Sequence, residues 1–207
     1  MFESYPSPYS PLEGTSRAPR AIFIGRFGTL LEIPEGGVVR TPADVRFFPG
    51  ALEALFRANR AGWYLYLIGN EDSVTNGEVS LETWKEIQGS IMSQLSCAGI
   101  PVRHNYASVN SPDGLDEHRL DSVYLLPNTG AFYHATHTDG IDLKQSWVIG
   151  DNTLELVAGW RAGCRQIGVE TGCAVQDGTF SVDPHFMGAN IVEALHDLLS
   201  RQTALHP

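Results

Sequence analysis

Asp151 and Glu155 stand four residues apart, and Glu71 and Asp72 are adjacent, in both cases just beyond an apolar run. Carboxylates so placed can hold a hard divalent cation through oxygen or move protons. Asp151, Glu155 and Asp72 are therefore the candidate ligands for a magnesium-type ion. For Glu71 and Asp72 the competing reading is a solvated acidic loop. For Asp151 it is a structural carboxylate holding loop amides at the start of the helix that follows. His134 and His137 are three residues apart and share a helical face, but no third ligand accompanies them, so they read as surface histidines. Ser73 and Thr75 lack a base partner and read as turn residues. The mixed charge run from Asp113 to Arg119 reads as a solvated loop. Trp63, Tyr64 and Tyr66 read as core.

The elements that must position these residues follow from apolar periodicity. Residues 21–26 form an apolar strand ending in a Gly-x-x-Gly-Thr turn, Gly25 to Thr29. A helix follows Pro49, with Ala51, Leu52, Leu55 and Phe56 at helical spacing and Gly62 as its stop. Residues 63–68 are a second buried strand, closed by Gly69-Asn70-Glu71-Asp72. Ser80 caps a helix reaching about Ala98, with Trp84, Ile87, Ile91 and Leu95 on one face. Further strands are expected over 100–107, 145–150 and 165–169. Further helices are expected over 130–138 and 153–162, and around Ile191, Val192, Leu195, Leu198 and Leu199. Residues 108–121 are polar and irregular, and 122–126 is a short apolar run. Alternation of strands and helices predicts a three-layer, Rossmann-like α/β domain with a mainly parallel sheet and no large cap. The domain is expected over 21–207. Residues 1–20, rich in Pro and Ser, are expected to be an extended tail or a segment docked through Phe2, Tyr5 and Tyr9.

The chain has 207 residues, 43% of them hydrophobic, enough for one sizeable core. A net charge of −10 argues against nonspecific binding to nucleic acid or to an anionic membrane. No apolar run reaches the roughly 20 residues of a membrane span. Cys97, Cys164 and Cys173 form no C-x-x-C pair, so neither a disulfide framework nor a zinc ribbon is indicated. Reduced cysteines and a cytoplasmic location are the expectation.

Six stretches in order resemble the haloacid dehalogenase (HAD) superfamily, in its heptose bisphosphate and histidinol phosphate phosphatase branch. They are the strand with Gly25-Arg26-Phe27-Gly28-Thr29; Arg40 to Gly50; Gly69 to Val74; Leu126-Pro127-Asn128-Thr129-Gly130; Gly140 to Leu143 with Val148 to Asp151; and Ala158 to Gly163. The resemblance covers about 21–172. It implies that the family's nucleophilic aspartate falls on Gly25 and its general-acid aspartate on Phe27. The phosphoryl-holding hydroxyl falls on Gly69 and the charge-balancing lysine on Leu126. Asp151 matches the metal-binding aspartate, and Glu155 the second acid. The branch's zinc loop falls on Ser108, Asn110, Ser122 and Tyr124, so no structural zinc is expected.

Gly25 offers neither nucleophile nor ligand, and Phe27 transfers no proton. With the lysine gone too, Phe27 and Leu126 are expected to pack into the former phosphate site. The expectation is thus a catalytically inactive pseudophosphatase, serving as a binding, scaffold or regulatory module without a cofactor. Its partner would be a protein, or a small anionic or neutral ligand. The alternative is a residual or altered magnesium-dependent sugar-phosphate phosphatase using Asp151, Glu155, Glu71 or Asp72. A second alternative is a small-molecule sensor.

Overall fold

A computed structural model describes residues 18–203; most of the expected tail, residues 1–17, lies outside them. Six parallel strands form one sheet: β1 (Ala21–Gly25), β2 (Tyr64–Asn70), β3 (Val102–Ser108), β4 (Trp147–Gly150), β5 (Arg165–Val169) and β6 (Phe186–Gly188). Their order is β3-β2-β1-β4-β5-β6. The helices are α1 (Ala51–Arg60), the single turn α2 (Asp72–Thr75), α3 (Leu81–Cys97), α4 (Gly130–Asp139), α5 (Thr153–Ala162) and α6 (Ile191–Thr203).

The period-2 alternation of the central strands separates two cores. Ile22 and Ile24 of β1, Leu65 and Leu67 of β2 and Ile149 of β4 face α1, α3 and α6. Ala21 and Phe23, Tyr66 and Ile68, and Val148 face α4 and α5. Helices therefore cover both faces, as a parallel sheet requires. Phe23 stacks on Tyr66 at 4.9 Å between centroids and packs on Phe132 at 4.4 Å. Trp63 and Tyr66 are core, whereas Tyr64 is only half-buried, under the Arg103 guanidinium.

Where the observed elements differ from the expected ones, short range is the reason. β6 and α2 are too short to carry a period. The short apolar run 122–126 is a turn, held by hydrogen bonds from the Leu125 and Asn128 amides to the carbonyls of Ser122 and Leu125. Pro49 precedes α1 rather than opening its first turn, and Gly50 is the cap residue.

β1 lies at the centre. The chain first builds outward through β2 and β3, then returns to β4 on the other side. The crevice beyond the carboxyl ends of β1 and β4 is thus the topological switch point, where open α/β sheets bind ligands.

Candidate active site

The loops leaving β1, β2 and β4 enclose a pocket of about 100 Å³, walled by Arg26, Phe27, Glu71, Asp72, Leu126 and Glu155 among others. Each carboxylate in or behind it has a different footing.

Glu155 lies in the first turn of α5, where its N–H is accepted by the cap residue Asn152 at 3.1 Å. Its side chain is buried, and Oε2 has no hydrogen-bond partner. Two glycines at strand ends make its slot. A Cβ on Gly25 would lie 2.5 Å from Glu155 Oε1 and 2.6 Å from Cδ, and one on Gly150 would lie 3.0 Å from Glu155 Cβ. Burial, then the charge of Asp151, holds the Glu155 carboxyl well above the usual range.

Asp151, just past β4, is 1% exposed and does not reach the pocket wall. Oδ1 accepts the Thr29 hydroxyl at 2.7 Å and Oδ2 the Cys173 amide at 2.9 Å. A Cβ on Gly28 would fall 2.6 Å from Asp151 Cγ, so a glycine there is needed for the carboxylate to fit. Asp151 thus clamps the β1 loop to the loop after β5. The start of α5 is capped by Asn152 instead. Burial raises the Asp151 carboxyl, and these two hydrogen bonds pull the other way.

Glu71 is buried against Arg26 rather than solvated. Arg26 Nε donates to Glu71 Oε1 at 2.9 Å and Nη2 to the same oxygen; Nη1 donates to Asn105 Oδ1 at 2.8 Å and the Tyr106 carbonyl at 2.9 Å. Nη2 also donates to the Gly69 carbonyl at 2.9 Å. A Cβ on residue 69 would lie 2.9 Å from that nitrogen, so the missing side chain at Gly69 is what admits the guanidinium. Burial pushes Glu71 up to about 7, with Arg26 opposing. Asp72 is on the pocket wall, and burial raises its carboxyl also.

Phe27 and Leu126 do not pack together into a plug. Phe27 turns its edge to Trp84, at 6.2 Å, with the α1–α3–α6 core. Leu126 is held in the opposite core, its backbone N–H and carbonyl both bonded to the Asn70 amide. Sequence reasoning missed Arg26 and Asn105: the motif positions on either side drew attention to what was lost, and Asn105 reaches Arg26 only through β2–β3 pairing.

His134 is exposed, but its Nδ1 is 2.8 Å from the Tyr106 hydroxyl; His137 is exposed beside it. Ser73 and Thr75 fall in α2, where the Thr75 hydroxyl donates to the Asp72 carbonyl at 3.1 Å, as a turn residue does. The charged run 113–119 folds on itself, with Arg119 donating to the Gly114 carbonyl at 3.0 Å. Of the four positions of the zinc-loop resemblance, Ser108 ends β3 and its hydroxyl donates to the Asn110 carbonyl at 3.0 Å, while the Tyr124 amide donates to the Ser122 hydroxyl oxygen at 3.2 Å. Among the described residues no three His, Cys, Asp or Glu side chains gather as a metal-holding group, so Asp72, Asp151 and Glu155 are not one shared site.

A family described as HAD-hydrolase-like matches residues 126–198. The chain carries a HAD-like hydrolase domain. Its relatives include the D-glycero-D-manno-heptose-1,7-bisphosphate 7-phosphatase of Thermosynechococcus vestitus. That protein is 27% identical over 73% of this chain and 79% of its own length. The D-glycero-beta-D-manno-heptose-1,7-bisphosphate 7-phosphatase of Mesorhizobium japonicum is 28% identical, over 79% of this chain and 75% of its own. Among solved structures, a D,D-heptose 1,7-bisphosphate phosphatase from B. bronchiseptica, complexed with magnesium and phosphate, shares the fold. Its TM-score is 0.73 at 22% identity, with 88% of this chain and 99% of that one covered. A putative HAD-like phosphatase from Mesorhizobium loti superposes with a TM-score of 0.69 at 25% identity, covering 94% and 91%.

These relatives overturn the expectation of a catalytically inactive module: proteins aligned over more than two thirds of the chain are named heptose-1,7-bisphosphate 7-phosphatases. That expectation went wrong in physical terms by counting losses position by position. A carboxylate from α5 fills the space beside Gly25, and a guanidinium from the β1 loop stands beside Gly69. The expectation of no cofactor rested on that inactive reading and loses its support with it. Among the described residues no helix is long and apolar enough to cross a membrane.

Proposed function

We propose that this domain hydrolyses phosphoric monoesters, with a phosphorylated sugar of the heptose bisphosphate type as substrate. The observation that carries this is the acid-walled pocket at the switch point between β1 and β4, with Glu71, Asp72 and Glu155 in its wall. The relatives' names supply the substrate class.

Four carboxylates, Glu71, Asp72, Asp151 and Glu155, stand in or behind this pocket against the single guanidinium of Arg26, which is committed to Glu71. An anionic substrate would be repelled unless a cation came with it. Magnesium is commonly held by one or two carboxylates together with substrate phosphate. Asp72 on the wall is a donor of that kind, so the pocket fits the ion. Asp72 would hold it with the phosphoryl oxygens; when bound, it would neutralise charge on the transferring group. Leu126 and Phe27 give the pocket apolar walls. Asp151 keeps the β1 loop closed over the strand ends through Thr29.

The test is release of orthophosphate from an aryl phosphate and a panel of sugar phosphates by the purified protein with magnesium. Release that stops on chelation is expected. No release above the protein-free rate from any substrate would overturn the reading.

A further inference from the structure

Gly25 leaves a gap at the end of β1, and the gap is filled from across the sheet. The Glu155 carboxyl carbon lies 2.6 Å from where a side chain on residue 25 would begin. The other pocket acids are spoken for: Glu71 binds Arg26 through two nitrogens, and both oxygens of Asp151 accept hydrogen bonds away from the pocket. Asp72 opens the turn of α2 and is exposed. Glu155 is 3% exposed, faces the pocket, and has an oxygen with no partner. Leaving a buried carboxylate oxygen unpaired is costly. Removing the carboxyl would relieve that cost, so the group is a poor choice for stability and a suitable one for chemistry.

We propose, on the basis of the hydrolase reading above, that Glu155 is the catalytic base that the β1 loop lacks. Its carboxylate stands at the place of a Cβ, short of where an aspartate on residue 25 would deliver its oxygens. The remaining distance suits an interposed water rather than direct attack on phosphorus. That water gives one proton to the Glu155 carboxylate as its oxygen bonds to phosphorus, and the P–O bond to the sugar breaks. The leaving alkoxide takes up that proton through solvent water at the pocket mouth, and the carboxylate is restored. One water is consumed, and one orthophosphate and one alcohol form.

Four measurements on the full chain test this. Glu155→Gln should release orthophosphate about 10²–10⁴-fold more slowly than wild type, the usual contribution of a positioned base. It should melt at or above the wild-type temperature and still take up magnesium in calorimetry. Acid quenching during turnover of ³²P-labelled substrate should leave no label on the protein. Gly25→Ala should lower the melting temperature of wild type and have no such effect in a Glu155→Ala background. Turnover by Glu155→Gln within threefold of wild type overturns the base while leaving the hydrolase reading intact. So does loss of magnesium uptake, which would make Glu155 a ligand, or label on the protein that Glu155→Gln abolishes, which would make it the nucleophile. An equal cost of Gly25→Ala in both backgrounds contradicts the placement. A wild type that hydrolyses nothing overturns the hydrolase reading itself, and the base with it.

Discussion

Arg26 and Glu71 form a buried ion pair across the β1–β2 edge, with Nε donating to Oε1 at 2.9 Å and both side chains at most 2% exposed. The guanidinium is saturated by the Asn105 side chain and the carbonyls of Gly69 and Tyr106. Such a pair fixes the β1 loop against β2 and β3, and each partner depends on the other for its solvation.

Removing one partner should therefore cost more than removing both. Arg26→Met is expected to lose about 3–5 kcal/mol by leaving Glu71 buried and uncompensated, and Arg26→Met/Glu71→Leu to lose much less. Urea unfolding of the three proteins measures this. A double variant as unstable as the sum of the single ones would show that the pair is not coupled.

How much of this was legible in the sequence differs by element. β1, α3 and α5 were, because their apolar residues repeat and their caps are local: Ser80 Oγ accepts the Thr83 amide at 3.1 Å, and Gly163 ends α5 in the left-handed region. The acids were visible as candidates, but their roles were not. Whether Glu71 is solvated or paired depends on Arg26, which is 45 residues away and admitted only by the bare Gly69. Whether Gly25 is an empty position or half of a steric exchange depends on Glu155, 130 positions later in the chain. A motif is read along the chain, whereas a vacated volume is filled through space.

Stability should fall as pH rises through the weakly acid range. Burial pushes Glu71 from its ordinary 4.5 up to about 7, and it raises Asp72, Asp151 and Glu155 as well. A carboxyl with a raised folded pKa keeps its proton in the folded chain after the unfolded chain has lost it. Fewer protons are then bound in the unfolded state, and stability declines with pH between about 4.5 and about 7. Urea midpoints in chelator-containing buffer should show that decline, and Glu71→Gln should make it shallower. Identical slopes would contradict the assignment to Glu71.

Asp151 acts as a clamp between the β1 loop and the loop after β5, so its loss should open the second of these. Asp151→Asn puts an amide donor against the Thr29 hydroxyl or the Cys173 N–H, costing about 1–3 kcal/mol. Thiol labelling reports it locally. Cys97 and Cys173 are both exposed; Cys97 should react at the same rate in both proteins, and Cys173 faster in the variant. Buried Cys164, whose thiol burial pushes up to about 12, should react only on unfolding. An unchanged Cys173 rate would argue against the clamp.

The most direct measurement is the initial rate of orthophosphate release from a heptose 1,7-bisphosphate, with magnesium and then with chelator. A rearranged but working hydrolase pocket predicts steady release with magnesium and its collapse on chelation. A rate equal to that of the protein-free control under both conditions would contradict the account.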